Sequence, residues 1–139
     1  MLIKNAFVVT EADCAKRDVR IEGELIAEIG GKLPANGDEV IDAEGQYLLP
    51  GGVDVHTHFE LSLSICNSAA DFYHGTAAAA CGGTTTIIEH PGFGPKDCKL
   101  MHQIDAYKKL AGGKAVIDYG FHGVAQHLNA DVLNDLPLL

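Results

Sequence analysis

A regular succession of strand-like and helix-like segments after Pro50 most limits what this chain can fold into. Apolar, β-branched runs of strand length alternate with helix-length segments, two of which begin near an Asp and end in paired glycines. The predicted strands lie at 53–58, 84–89 and 115–119, and the predicted helices at 72–80, 97–110 and 131–136. Strands separated by helices are typical of parallel β/α units, so we expect an α/β fold in this part of the chain.

The first fifty residues have a different pattern of apolar and turn residues. Short apolar runs separated by Gly, Asp and Asn turn residues predict a small antiparallel sheet instead of helices. The predicted strands lie at 2–10, 18–21, 25–29, 40–41 and 46–49. The sequence therefore predicts two parts, a small β region at 1–50 and the opening β/α units at 51–139.

The length of the chain sets a limit on the second part. The sequence has 139 residues, whereas an eight-stranded β/α barrel takes about 250. Three strands cannot close a barrel, and the third would present an open edge. We therefore expect either an open three-layer sandwich or the front piece of a larger enzyme.

Composition and charge exclude several classes of partner. The formal net charge is −9 and the ten Lys and Arg residues form no patch, so a nucleic-acid partner is not expected. No apolar run approaches the roughly 20 residues of a membrane span, and the start does not resemble a signal peptide. The cysteines are widely spaced at Cys14, Cys66, Cys81 and Cys98, which favours reduced thiols in the cytoplasm over a disulfide framework.

Two alternate histidines at the end of the first predicted barrel-type strand are the main candidate for chemistry. Successive strand side chains point to opposite faces, so His56 and His58 project the same way. Two imidazoles on one face can bind one metal ion, which would suggest hydrolytic chemistry, although seven histidines give roughly a third of one such pair by chance. Asp54 either orients a ligand as an outer acceptor or makes a structural hydrogen bond.

The other candidate groups are given structural roles. His90 follows the second predicted strand and could face the same end of the sheet as His58, but we favour a structural role for it. His122 and His127 follow the third predicted strand and one of them could approach a site, but we favour turn or surface roles for both. His74 and His102 are also given packed or surface roles. The Ser and Thr runs have no nearby base, so nucleophilic catalysis is not supported.

Several motifs together carry a resemblance to a known family. They are Leu-Pro-Gly-Gly-Val-Asp-Val-His-Thr-His-Phe at 49–59, Asp-Phe-Tyr at 71–73, Cys-Gly-Gly-Thr-Thr-Thr-Ile-Ile-Glu-His at 81–90, Gly-Phe-Gly-Pro at 92–95, and the segments 2–9 and 115–122. This pattern resembles the amidohydrolase superfamily, and within it the dihydropyrimidinase/hydantoinase branch of the D-phenylhydantoinase type. The resemblance covers essentially the whole chain.

The resemblance implies a fold and an activity. It implies a β-sandwich part at 1–50, and at 51–139 the first β/α units of a metal-dependent TIM-like barrel, here truncated. It implies that His56 and His58 are ligands of a divalent metal, with two Zn²⁺ in the intact enzyme, and that a cyclic amide is the small-molecule substrate. It also implies a homotetramer, and it places the remaining ligands and the acid/base beyond residue 139.

Neighbouring residues help to choose between branches. Dihydroorotases usually have an Arg two places after the second His, and Glu60 stands there, so that branch is disfavoured. The apolar loop 59–70 is compatible with a bulky apolar or aromatic substituent on the ring of a hydantoin, although its leucines could simply pack the fold. Dihydropyrimidinase is the alternative enzyme, and an inactive, non-catalytic piece is the alternative of a different class.

Overall fold

A computed structural model describes residues 1–138, and the chain divides into two compact units. The first unit is Met1–Pro50 and the second is Gly51–Leu139. Within residues 1–138, none of the helices has both the length and the apolar composition that crossing a bilayer requires.

The first unit is a five-stranded sheet. Its strands are β1 (Leu2–Val9), β2 (Cys14–Glu22), β3 (Leu25–Gly30), β4 (Val40–Asp42) and β5 (Tyr47–Leu48). The order is β3-β2-β1-β4, and β5 also pairs with β1. Its core consists of Ala6, Val8 and Val19, with partly buried apolar neighbours around them.

The prediction of a purely antiparallel sheet is wrong. β2 runs antiparallel to both β1 and β3, but β4 and β5 run parallel to β1. The chain that leaves β3 does not fold back as a hairpin, and instead returns to pair with the other edge of β1. Turn residues mark where a strand ends but do not specify which edge the next strand joins, so the sequence pattern could not predict this pairing.

A buried carboxylate on β2 connects β1 to the segment that follows β3. Asp18 is buried, and its two oxygens accept hydrogen bonds from the backbone amides of Asn5 and Leu33, each at 2.9 Å. Burial alone would raise the pKa of Asp18, but the amides of Leu33 and Asn5 lower it, with help from the charges of nearby lysines. The net pKa lies below the usual value because these bonds favour the charged form.

This lowered pKa predicts a pH-dependent contribution to stability. A carboxylate with a lowered folded-state pKa stabilises the fold at pH values above its unfolded pKa of about 4 and loses that contribution as the pH falls further. Asp18→Asn places an NH₂ group against an amide donor, and we expect it to destabilise the first unit by about 2 kcal/mol at pH 7. The stability difference between the two proteins should shrink below about pH 4.

Hydrogen exchange of the β2 amides between pH 3 and pH 7 measures this difference within the first unit. The exposed Asp13, which pairs with Arg17 at 2.6 Å, provides the control through Asp13→Asn, since exposed ion pairs contribute little. A stability difference for Asp18→Asn that stays constant down to pH 3 would contradict the assignment.

The second unit contains a three-stranded parallel sheet in the order β6-β7-β8. Its elements are β6 (Gly52–Thr57), α1 (Phe72–Cys81), β7 (Thr84–Glu89), α2 (Leu100–Ala111), β8 (Asp118–Phe121), α3 (Ala130–Asp135) and a 3₁₀ turn (Leu136–Leu138). The prediction of parallel β/α units is therefore confirmed for these strands.

Local signals explain where α1 begins and ends. The Asp71 carboxylate accepts a hydrogen bond from the backbone amide of His74 at 2.8 Å, which caps the first turn. At the other end the amide of Gly82 bonds back to the last turn, and Gly83 has a φ of +86° that terminates the helix. Helix α1 packs Phe72 into a buried core with Ile87, Tyr107 and Ala111.

Three predicted boundaries or environments differ from the structure. Helix α2 begins at Leu100 and not at 97, since Asp97 has a φ of +63° and lies in the preceding turn. Strand β8 begins at Asp118 and not at 115, because the amide of Val116 donates to the Thr76 hydroxyl instead of to β7. Strand β6 is not buried in this chain, with Val53 and Val55 58% and 59% exposed.

Candidate metal centre

A histidine directly follows each of the three parallel strands. His58 comes after β6, His90 after β7 and His122 after β8, while His56 lies inside β6. The carboxyl ends of parallel strands meet at the same edge of a sheet, so this spacing brings the imidazoles together. We refer to His56, His58, His90 and His122 as the histidine cluster.

The predicted pair forms the centre of the cluster. The Nε2 atoms of His56 and His58 lie 3.0 Å apart, and both side chains are exposed. Two nitrogens that bind one tetrahedral Zn²⁺ at about 2.05 Å are separated by about 3.3 Å. The two imidazoles therefore converge to a spacing that a small shift would fit to a divalent metal ion.

A backbone carbonyl orients the His58 ring. Nδ1 of His58 lies 3.0 Å from the carbonyl oxygen of His90. A carbonyl can only accept, so Nδ1 carries the proton and Nε2 presents a lone pair to the pocket. This is the arrangement by which outer hydrogen bonds fix the tautomer of metal-binding histidines.

His90 also takes part in the cluster through its side chain. Its ring stacks on His56 with a centroid distance of 4.6 Å and an interplanar angle of 12°. His56, His58 and His90 each offer a ligand atom within 4.8 Å of the others. Burial lowers the pKa of His90, and positive charge on His56, His122 or His58 lowers it further, so its ring favours the neutral form.

A bulge in β6 sets the position of His56. Asp54 pairs with Ile87 and Thr57 pairs with Glu89, so β6 carries one more residue than β7 between these points. The His56 amide in this interval donates to Asp54 Oδ1 at 3.1 Å, and Nε2 of His122 donates to the Val55 carbonyl at 2.8 Å. Both contacts act on the backbone of the bulge.

The Asp54 carboxylate therefore lies beside the backbone of His56, which is one of the two candidate metal ligands. Among the hydrogen bonds of residues 1–138, the Asp54 carboxylate accepts from the amide of His56 and has no bond to either imidazole of the predicted pair. The sequence left two roles open for Asp54, orienting a ligand side chain or making a structural hydrogen bond. The bond to the His56 amide is of the second kind. Asp54 supports His56 by holding the bulge.

Glu89 was not singled out from the sequence. Its side chain is fully buried, and its two oxygens accept hydrogen bonds from the Thr57 hydroxyl at 2.6 Å and from the Phe59 amide at 2.8 Å. Burial raises the pKa of Glu89, and these two hydrogen bonds and the nearby histidines oppose that rise. The sequence signal was an acidic residue at the end of an otherwise apolar, β-branched strand.

The remaining histidines do not join the cluster. His74 is exposed and pairs with the cap residue Asp71 at 2.8 Å, and His102 is exposed on α2. His127 is not in the group of metal-binding candidates among residues 1–138, and its Nε2 is buried with no hydrogen-bond partner there. The four cysteines are free thiols.

The loop between β6 and α1 exposes apolar side chains. Ile65 is 90% exposed, and Leu63 is half exposed, whereas Leu61 is partly buried. Glu60 in this loop forms an ion pair with Lys114 at 3.0 Å. The carboxylate of Glu60 is therefore engaged with the chain's own lysine.

Comparison with protein families and solved structures gives consistent matches. Residues 47–133 match the model of the Amidohydrolase family. The chain is 51% identical over 140 residues to the D-phenylhydantoinase of Escherichia coli strain UMN026, covering all of this chain and 30% of that protein. The chain thus spans about 30% of the length of the curated relatives it matches.

Solved hydantoinase structures share the fold of this chain. The dihydropyrimidinase from Brevibacillus agri NCHU1002 superposes with a TM-score of 0.92 at 44% identity, over 97% of this chain and 29% of that one. The L-hydantoinase (dihydropyrimidinase) from Arthrobacter aurescens superposes with a TM-score of 0.70 at 29% identity, over 88% and 27% of the two chains. The mixed β unit and the parallel β/α unit therefore occur together in these enzymes.

Proposed function

Because the chain belongs to the Amidohydrolase family, we propose that it contributes the first metal ligands of a hydrolase that opens cyclic amides. The observation that carries this proposal is the convergence of His56 Nε2 and His58 Nε2 to 3.0 Å at the carboxyl edge of a parallel sheet. The relatives that share this segment include hydantoinases and a dihydropyrimidinase.

The metal ligands in this proposal are His56 and His58, in a site that holds two Zn²⁺ ions in the complete enzyme. The donor set fits, since neutral imidazole is a common zinc ligand and His58 is held in the required tautomer by the His90 carbonyl. Bound divalent zinc would polarise the amide carbonyl and lower the pKa of a water molecule. The residues of this chain orient the ligands, with Asp54 fixing the backbone at His56.

For the substrate, we propose 5-substituted hydantoins with an aromatic substituent. The 51% identity to a D-phenylhydantoinase supports this choice. The exposed Leu63 and Ile65 offer apolar surface that suits an aromatic group. Dihydropyrimidinase is the second candidate, because a structure of that name matches with 44% identity.

The proposal extends to the architecture of the complete enzyme. Residues 1–50 would belong to a β-sandwich domain, and residues 51–139 would supply the first β/α units of a TIM-like barrel. The parallel order β6-β7-β8 and the superposition on hydantoinases support this arrangement. We further propose a homotetramer and a cytoplasmic location, the latter supported by four free cysteines.

An inactive, non-catalytic role is the alternative of a different class for the 139-residue chain by itself. A catalytic zinc site takes three protein ligands and keeps one open position. His56 and His58 supply two in this proposal, and His90, whose ring stacks on His56 at 4.6 Å, is not assigned as a third ligand. We therefore expect the purified chain with Zn²⁺ to open 5-phenylhydantoin no faster than buffer does. Ring opening by the chain alone that His56→Ala abolishes would contradict this expectation.

A chimera tests the enzymatic proposal directly. Residues 1–139 would replace the matching segment of the Escherichia coli D-phenylhydantoinase, and we expect the chimera to open 5-phenylhydantoin. We expect a preference over dihydrouracil of at least about tenfold in kcat/KM. His58→Ala in the chimera should remove the activity, whereas His102→Ala should not.

Each outcome of the chimera experiment separates the candidates. A preference for dihydrouracil would favour the dihydropyrimidinase alternative. A chimera that folds and binds Zn²⁺ but opens neither ring would refute the enzymatic proposal for this segment.

A further inference from the structure

The buried carboxylate of Glu89 holds the two residues that flank His58. Its Oε2 atom accepts a hydrogen bond from the Thr57 hydroxyl at 2.6 Å, and its Oε1 atom accepts one from the Phe59 amide at 2.8 Å. Glu89 is 0% exposed, and its two partners Thr57 and Phe59 are partly buried. The contacts join the carboxyl end of β7 to the segment that leaves β6.

Backbone and ring contacts from the next residue strengthen the same connection. The His90 amide donates to the Thr57 carbonyl at 2.9 Å, and His58 Nδ1 donates to the His90 carbonyl at 3.0 Å. Four hydrogen bonds therefore hold residues 57–59 against Glu89 and His90. The imidazole of His58 projects from the middle of this segment, so a change in the backbone there moves Nε2 away from His56.

A carboxylate suits this position because it accepts several hydrogen bonds and donates none. Burial of a charged group is unfavourable unless it is hydrogen-bonded, and an apolar residue would pack beside the buried Ile87 at lower cost. An acid at this buried position therefore points to a role in fixing geometry instead of a role in stabilising the core.

We propose that Glu89 is a positioning residue that holds the backbone around His58 so that its Nε2 faces the metal. The inference rests on the proposed function, in which His56 and His58 are metal ligands. Glu89 is not in the group of candidate metal ligands among residues 1–138, and in this proposal it acts through the backbone at His58.

Co²⁺ titration of the 139-residue chain, followed by visible absorption, tests the proposal. We expect Glu89→Ala to weaken Co²⁺ binding by about 10- to 100-fold, the range seen when outer contacts of metal ligands are removed. The absorption bands of bound Co²⁺ should also shift in energy or intensity, because the His58 nitrogen no longer holds its position. A purely structural role would leave those bands unchanged.

The conservative variant Glu89→Gln should rescue binding. Its carbonyl oxygen can accept from the Phe59 amide, and its NH₂ group can donate to the Thr57 hydroxyl, which is able to accept. We expect Co²⁺ affinity within about threefold of the unaltered chain, since both contacts are kept.

The matched control is Asp18→Ala in the other unit. Asp18 is also a buried carboxylate that accepts two hydrogen bonds, here from the amides of Asn5 and Leu33. We expect this variant to lower stability without changing Co²⁺ affinity or the absorption bands. The control shows whether the change in Co²⁺ binding comes from losing any buried, hydrogen-bonded acid or from losing the geometry at His58.

The outcomes distinguish failure of this inference from failure of the proposed function. Unchanged affinity and bands in Glu89→Ala would overturn the positioning role while leaving the metal site intact. Equal titrations of the unaltered chain and His58→Ala would instead refute the metal site. If Glu89→Ala does not fold, Thr57→Val replaces it, and unchanged Co²⁺ affinity and bands in that variant would overturn the positioning role.

Discussion

Replacing His58 with alanine should reduce the Co²⁺ affinity of the chain by about 100-fold or more. The substitution removes one of two ligand nitrogens that lie 3.0 Å apart, which is a larger change than the loss of an outer contact. Because His58 is exposed after the end of β6, the variant should keep its fold. Isothermal titration with Co²⁺ or Zn²⁺ measures the change.

His102→Ala provides the control for that experiment. His102 is exposed on α2 and lies outside the group of metal-binding candidates among residues 1–138. We expect its affinity to match the unaltered chain. Similar losses in both variants would mean that binding is a nonspecific property of surface imidazoles, and the assigned centre would be wrong.

Replacing Phe72 with alanine should destabilise the second unit by about 3–5 kcal/mol, the range for removing a large aromatic side chain from a core. Phe72 is fully buried, and its ring meets Phe59 and Tyr107 edge to face at centroid distances of 5.8 Å and 6.4 Å. Since small domains are stable by only about 5–15 kcal/mol, this loss removes a large part of the stability of the second unit and should clearly lower its urea midpoint.

Urea unfolding combined with hydrogen exchange of the β7 amides measures the effect within the second unit. The neighbouring Tyr73 is 51% exposed on the same helix, and Tyr73→Ala should change stability by no more than about 0.5 kcal/mol. An equal effect of the two substitutions would show that Phe72 does not anchor the core of this unit.

Local patterns predicted the elements whose formation depends on nearby residues. Helix α1 followed from the Asp71 cap and the Gly82-Gly83 end, and β7 followed from its run of β-branched residues. The proximity of His56 to His58 followed from their spacing, because it requires only a backbone that is extended locally. These features depend on contacts within a few residues of the chain.

Features that depend on distant residues were not predicted. The parallel pairing of β4 and β5 with β1 and the late start of β8 depend on contacts across long intervals of sequence. His90 and Glu89 gain their roles from contacts with residues 57–59, about thirty positions earlier. A single sequence contains no periodic signal for such contacts.

The extra residue in β6 has a consequence for how the chain responds to selection for stability. Without the bulge, the backbone between Asp54 and Thr57 would form more hydrogen bonds with β7. It would then depend less on the side chains that now hold it. The same change would shift His56 by one position and turn its imidazole toward the opposite face. Selection for heat resistance alone would therefore favour variants that lack the bulge. A screen for thermostable variants of this chain must select for metal binding as well.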